Sequence, residues 1–206
     1  MRLPRFYPIL DTALLQRRGV SPVDAALQIL DGGARILQLR HKEFFSAAAL
    51  DQAGRIARLC RDAGATFVID DRADIAAMLS AGLHLGQDDL SPSEARRVLP
   101  AGMIGFSTHN AAQLRAAASE PADYLAIGPV FATMSKENPD PVLGLDQLRG
   151  LRILTDRPLV AIGGITRANA LAVLAAGADS VAVISDLYPQ DSNIRARAVE
   201  WLSLLA

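Results

Sequence analysis

The sequence predicts a single parallel (β/α)₈ barrel over residues 1–206. Three observations favour it: eight short apolar segments recur along the chain, helical patterns separate them, and half of the residues are hydrophobic. A chain of 206 residues lies at the lower end of the size range for such a barrel. An open doubly wound sheet is the alternative, but no glycine-rich fingerprint follows the first apolar segment.

The predicted strands and helices alternate in order. We expect strands at 6–10, 35–39, 66–69, 83–85, 103–106, 124–127, 159–162 and 180–184. Ser21-Pro22 and Ser91-Pro92 each place serine at a helix N-cap and proline at the first helical position, and Glu94 completes a capping box. Left-handed helix ends are predicted at Gly32-Gly33, Gly64, Gly82, Gly102 and Gly177.

Composition excludes several classes of protein. The net charge of −1 gives no general attraction to nucleic acid or to an anionic membrane, so any anion site must be local. Cys60 is the one cysteine, which rules out a disulfide within the chain. No signal-peptide pattern and no uninterrupted apolar run of membrane-spanning length is evident. We therefore expect a cytoplasmic protein that binds small molecules and neither nucleic acid nor membrane, with a homo-oligomer left open.

The site of such a barrel lies at the carboxyl ends of its strands, and strand two ends there in cations. Gln38, Arg40 and Lys42 alternate along the chain, which predicts that they share the inner face near the mouth. A guanidinium fork and an ammonium suit a diphosphate. The alternative is that the strand ends at Leu39 and that both cations are solvated.

Carboxylates follow strands three and four. Asp70 and Asp71 end one, and Asp88 and Asp89 follow the next. Carboxylates near phosphate-binding cations indicate Mg²⁺, which one or two of them hold together with substrate phosphates. The alternative is that they stabilise the starts of the following helices.

The later strand ends are polar as well. Ser107 is a candidate hydrogen-bond donor, whereas His84 fits a core residue and His109 a local hydrogen bond. After strand six, Thr133, Ser135 and Lys136 combine two hydroxyls with the second of the two lysines in the chain. Gly163-Gly164 and the segment 184–185 follow strands seven and eight, the usual phosphate site of these barrels. A tight turn is the alternative for the glycine pair.

Together these segments resemble the thiamine-phosphate synthase (thiamine-phosphate pyrophosphorylase) family. Those that match, in the order of the family and over essentially the whole chain, are 38–42, 70–72, 84–89, 105–110, 128–131 and 161–165. The resemblance implies a (β/α)₈ transferase of thiamine biosynthesis. It joins hydroxymethylpyrimidine diphosphate to hydroxyethylthiazole phosphate, giving thiamine phosphate and pyrophosphate. In that family the diphosphate leaves first, and the thiazole nitrogen captures the resulting carbocation.

The resemblance also assigns roles to residues. Arg40, Ser107 and Lys136 match groups at the reacting centre, and Asp71 and Asp89 match the Mg²⁺ ligands. The substrate-binding positions that it implies are Gln38, Arg40, Lys42, Asp70, Ser107, Thr133, Ser135, Lys136, Gly163, Gly164, Ile184 and Ser185.

The chain departs from the family pattern at two of these positions. Asp70 stands where the family usually has asparagine, and Ser135 replaces a usual threonine while keeping the hydroxyl. We predict that Asp70 joins Asp71 and Asp89 around Mg²⁺, directly or through water. Two alternative functions remain: the related thiazole tautomerase, which usually lacks the cations and metal carboxylates, and a non-catalytic barrel that senses a thiazole phosphate.

Overall fold

Eight parallel strands close into a barrel in which each strand pairs with the next and β8 pairs with β1. The computed structural model describes residues 3–133, 140–188 and 193–206. The strands are β1 Phe6–Asp11, β2 Ile36–Arg40, β3 Thr66–Asp70, β4 Gly82–Leu85, β5 Ile104–Thr108, β6 Tyr124–Ile127, β7 Leu159–Ala161 and β8 Ser180–Val183. The predicted barrel is confirmed, and every predicted strand lies within two residues of an observed one.

Helices connect the strands and cover the outside of the barrel. They are α1 Thr12–Arg17, α2 Pro22–Asp31, α3 Ala47–Asp62, α4 Ala73–Leu79, α5 Pro92–Val98, α6 Ala111–Ala116, α7 Gly144–Arg152, α8 Ala170–Ala175 and α9 Ile194–Leu204. Two short 3₁₀ turns occupy Ala117–Ser119 and Ser185–Leu187. Within the described ranges, no helix is long and apolar enough to cross a membrane.

Two hydrophobic layers follow from the alternation of side chains along each strand. Leu37 and Leu39 of β2 point outward into the layer between sheet and helices. Ile36 joins a smaller cluster with Tyr7 and Tyr124, residues of β1 and β6 that fill the barrel interior. Gln38 therefore lies inside the barrel, where it is 3% exposed, as the alternation predicted.

The helix signals are confirmed at the starts more than at the ends. Ser21 and Ser91 accept hydrogen bonds from helical amides, and Ser91 and Glu94 form the predicted capping box. Gly33, Gly64 and Gly177 have positive φ angles. The prediction is wrong for Gly32, Gly82 and Gly102, whose φ angles are not positive. After α4 the left-handed residue is the C-cap Ser80, with a φ of 52°, and Gly82 is the first residue of β4.

Candidate active site

A cavity of about 480 Å³ opens at the carboxyl ends of the strands, and each of the eight strands contributes to its wall. The described residues predicted for the site all line it, namely Gln38, Arg40, Lys42, Asp70, Asp71, Asp89, Ser107, Thr133, Gly163, Gly164, Ile184 and Ser185. Ser135 and Lys136 lie outside the described residues. A larger groove of about 740 Å³ lies at the strand starts, and Arg61 is its single charged lining residue. The polar chemistry is concentrated at the mouth.

Arg40 ends β2 at the wall of this cavity, and a buried carboxylate holds it in place. Its Nη1 lies 2.5 Å from Oδ2 of Asp11, the last residue of β1, which is 4% exposed. Asp11 also accepts a hydrogen bond of 2.8 Å from the amide of Leu14 and so caps α1. Parallel pairing sets Asp11 beside Arg40 in register. Asp11 thus fixes the direction of the guanidinium, a role that its position before a helix did not reveal.

Lys42 lies between two carboxylates just beyond the end of β2. Its Nζ is 2.5 Å from Oδ2 of Asp71 and 3.0 Å from Oδ2 of Asp70. Burial opposes the charge on Lys42, but the two carboxylates outweigh it and raise the pKa of the ammonium. The cation therefore stays charged at the mouth of the cavity.

Asp70 is the most buried carboxylate of the mouth after Asp11, with 6% of its surface exposed. Its Oδ1 accepts a hydrogen bond of 2.7 Å from Nε2 of Gln38, and its Oδ2 lies 3.8 Å from Nε of Arg40. Burial raises its pKa to about 6, against the opposing pull of Lys42. The side chain is thus enclosed by donors and cations of β2 and the loop that follows.

Asp71 and Asp89 form a pair of like charges at the cavity rim. Asp71 has a φ of 64°, a left-handed conformation that is uncommon for residues other than glycine and is often found at functional sites. Oδ2 of Asp89 accepts a hydrogen bond of 2.7 Å from the amide of Gly86. Burial raises the pKa of Asp89, and the neighbouring Asp71 raises it further. Two mutually repelling carboxylates fit a site for a divalent cation.

The prediction that Asp70 joins this pair is wrong for direct ligation, and ligation through water stays a prediction. No group of three or more histidine, cysteine, aspartate or glutamate side chains among the described residues is arranged to hold a metal ion. Asp70 instead turns its carboxylate toward Gln38 and Lys42. Asp70 and Asp71 therefore meet at the ammonium of Lys42, at 3.0 and 2.5 Å, and Asp89 is not part of that contact.

The glycine pair after β7 packs closely against the loop after β6. Gly163 and Gly164 have φ angles of 98° and 62°, and a Cβ on either would lie within 2.5 Å of residues 129–132. Phe131 donates a backbone hydrogen bond of 3.0 Å to Gly163. The amides of Gly163 and Gly164 find no acceptor within the described part of the chain. Free amides at the mouth fit an anion such as phosphate.

A hydrogen-bonded chain of side chains inside the barrel was not predicted. Tyr7 and Tyr124 join their hydroxyls at 2.7 Å, Tyr124 lies 3.0 Å from Nδ1 of His84, and Nε2 of His84 lies 2.9 Å from Oγ of Ser107. His84 is buried with both ring nitrogens hydrogen-bonded, as expected of a satisfied core residue, and it also lines the cavity. The sequence carried one signal for this chain: alternation along β1, β4, β5 and β6 places one of its four polar side chains on the inner face of each strand.

The remaining candidate residues have local roles. Nδ1 of His109 donates a hydrogen bond of 2.6 Å to the carbonyl oxygen of Gly128, which agrees with the hydrogen-bonding role predicted for this residue. The side chain of Asn110 caps α6 by accepting from the amide of Gln113. Asp88 lines the cavity beside Asp89, but the helix cap that follows is Ser91.

Fold and cavity together define a class of protein: a (β/α)₈ barrel whose mouth carries cations, paired carboxylates and backbone amides that have no acceptor among the described residues. Comparison of the sequence with known families identifies the protein more narrowly than the fold and the cavity do. The family model described as thiamine monophosphate synthase matches residues 6–187, so the chain belongs to this family. The predicted resemblance is confirmed.

Known proteins support this assignment over the full length. The thiamine-phosphate synthase of Koribacter versatilis is 47% identical over 212 residues, covering 100% of this chain and 97% of that protein. The thiamine-phosphate synthase of Chloroflexus aurantiacus is 38% identical, with coverages of 98% and 93%. The solved thiamine phosphate pyrophosphorylase from Pyrococcus furiosus superimposes with a TM-score of 0.86 at 31% identity, covering 98% of this chain and 95% of that one.

Proposed function

We propose that this protein joins hydroxymethylpyrimidine diphosphate to hydroxyethylthiazole phosphate, giving thiamine phosphate and releasing pyrophosphate. Family membership supports the reaction. The observation that carries it is the presence of Arg40, Lys42 and the Asp71–Asp89 pair in one cavity with the Gly163-Gly164 loop. A thiazole tautomerase would need the glycine loop to bind its substrate, but it would not need the cations and the carboxylate pair.

Asp71 and Asp89 are the residues that would hold Mg²⁺ beside the diphosphate. Their oxygen ligands and like charges fit this cation, which usually takes one or two carboxylates together with substrate phosphates. When bound, Mg²⁺ supplies positive charge that neutralises the departing diphosphate. Lys42 contacts Asp71 at 2.5 Å and therefore lies beside the same diphosphate position.

The cations of β2 support departure of the diphosphate. Arg40 and Lys42 are already oriented by Asp11, Asp70 and Asp71, so little reorganisation is needed when charge develops on the leaving group. Preorganised charge of this kind lowers the barrier because it interacts more strongly with the transition state than with the substrate. Thr133, Ser135 and Lys136 add further phosphate contacts in this proposal. The thiazole nitrogen captures the pyrimidine carbocation, so no protein nucleophile is required.

The opposite wall of the cavity would bind the thiazole phosphate. The Gly163-Gly164 turn and the segment 184–185 both line the cavity, where they follow β7 and β8, which pair in parallel. Backbone amides without a protein acceptor offer hydrogen bonds to phosphate oxygens at little entropic cost. The two phosphorylated substrates would thus enter from separate sides, with their reacting atoms over the barrel centre.

An assay with both substrates tests the proposal. Purified protein with Mg²⁺ should produce thiamine phosphate and pyrophosphate in equal amounts, as measured by chromatography and a coupled pyrophosphate assay. Asp71→Asn and Asp89→Asn should each reduce turnover by about 10²-fold. The matched control is Asp146→Asn, a carboxylate that is 99% exposed on α7, which should leave turnover unchanged. No thiamine phosphate from the wild type would refute the function, and full activity in a chelator would refute the metal site.

A further inference from the structure

The hydrogen-bonded chain from Tyr7 to Ser107 runs along the wall of the cavity, from its fully buried inner end to its mouth. Tyr7 is 1% exposed, and its hydroxyl contacts only the hydroxyl of Tyr124 among the described residues. Tyr124 is fully buried, and among the described residues its hydroxyl makes two hydrogen bonds, to Tyr7 and to Nδ1 of His84. Ser107 is half-buried at the cavity end, and its hydroxyl contacts Nε2 of His84. Four residues of four different strands therefore form one linear series of donors and acceptors.

The buried end fixes the direction of this series. Tyr7 has one available acceptor, the oxygen of Tyr124, and a buried hydroxyl without an acceptor is costly. If Tyr7 donates to Tyr124, then Tyr124 must donate onward to Nδ1 of His84. A neutral imidazole that accepts at Nδ1 carries its proton at Nε2 and donates to Ser107. The Ser107 proton is then left pointing away from His84 and into the cavity.

The reverse direction and the charged imidazole both leave a donor without a partner. In the reverse direction Ser107 donates to His84, and the last proton, on Tyr7, has no acceptor in the core. An imidazolium would donate at both nitrogens, so one of the two tyrosine protons would have no acceptor. Burial lowers the pKa of His84 to about 4, which agrees with a neutral ring. One arrangement satisfies every buried donor.

We propose that Tyr7, Tyr124 and His84 are positioning residues that hold Ser107 as a hydrogen-bond donor toward an acceptor atom of the substrate. The assignment of that acceptor to a pyrimidine diphosphate rests on the proposed function. The direction of the chain does not, because it follows from the protein groups alone. Ser107 is the catalytic residue in this arrangement, since it lines the cavity and would contact the substrate there.

The tautomer of His84 tests the direction without any assay of activity. The protein labelled with ¹⁵N-histidine contains three histidines, His41, His84 and His109. The His84 signals are those lost in His84→Phe. At neutral pH we expect a proton on Nε2 and none on Nδ1. A proton on Nδ1, a doubly protonated ring, or signals averaged between the two tautomers would each overturn the proposal.

A double-mutant cycle tests whether His84 acts through Ser107. His84→Phe keeps a ring stacked on Tyr124, whose centroid lies 5.6 Å away, but removes both hydrogen bonds. It should lower kcat/KM about fivefold to tenfold in the wild type and cause no further loss in a Ser107→Ala background. An equal loss in both backgrounds would mean a structural role and would overturn the proposal. If the wild type has no synthase activity while the Nε2 tautomer is found, the function fails and the chain direction stands.

Discussion

Replacement of Gly105 by alanine tests how closely the interior of the barrel is packed around Tyr124. Gly105 of β5 is paired in register with Tyr124 of β6. A Cβ at position 105 would lie 2.0 Å from Cζ and 2.3 Å from Oη of Tyr124. Carbon atoms in contact are about 3.5–4.0 Å apart, so the ring would have to move by about 1.5 Å.

The expected cost of Gly105→Ala follows from this displacement. Overpacking of a core costs about 1–3 kcal/mol. Displacement of the ring also weakens the hydrogen bonds of its hydroxyl to Tyr7 and His84, at about 0.5–1.5 kcal/mol each. Loss of unfolded-state entropy offsets about 0.4–1 kcal/mol. A net destabilisation of about 3 kcal/mol should lower the unfolding midpoint by about 6–12 °C in a domain of this size.

Thermal unfolding followed by circular dichroism measures this effect. Gly150→Ala is the matched control, because a Cβ there has no neighbour within 4 Å and the residue lies in α7. The control should raise the midpoint slightly through helix propensity. Tyr124→Leu removes the atoms that clash, so the two changes should be non-additive by about 1 kcal/mol or more. A Gly105→Ala midpoint within 1 °C of the wild type, or simple additivity, would refute the packing argument.

Three further predictions concern single residues. Asp11→Asn retains the cap on α1 but removes the ion pair with Arg40, so kcat/KM should fall about tenfold, and an unchanged kcat/KM would contradict it. Asp70→Asn removes a negative charge beside Lys42, so calorimetry with Mg²⁺ should show pyrophosphate binding at least about threefold tighter, and weaker binding would contradict this. Cys60 is 1% exposed, and burial raises its pKa to about 12, so the reactive thiolate form is scarce at pH 8. Mass spectrometry should therefore find it alkylated by iodoacetamide in denaturant only, and rapid native alkylation would contradict that burial.

The fold was readable from the sequence because its signals are local. Apolar segments of strand length and serine–proline helix starts depend on neighbouring residues, and both were confirmed. Glycine was a weaker signal for helix ends, since a glycine after a helix also serves where strands approach closely. Gly82 shows this: it begins β4, and a Cβ on it would lie 3.2 Å from the carbonyl oxygen of Met103.

The candidate site was predictable as a set of residues but not as a set of contacts. Residues at the ends of parallel strands must share one end of the barrel, so their order along the chain was sufficient to place them there. The partners of each residue depend on side-chain direction across strands. The Asp11–Arg40 pair joins β1 to β2, and the chain from Tyr7 to Ser107 joins β1, β4, β5 and β6. Neither has a signature within a short segment of sequence.

Asp70 shows how a departure from the family pattern changes the contacts of the site. A carboxylate accepts at both oxygens, and here one faces Gln38 and the other Lys42. An asparagine that kept the Gln38 hydrogen bond would turn its NH₂ group toward Lys42, where two donors repel. Lys42 would then pair with Asp71 alone. In the proposed function the asparagine would offer its N–H group to the diphosphate. The aspartate instead forms an internal ion pair with Lys42, so in the proposed function the diphosphate would have to compete with Asp70 for Lys42.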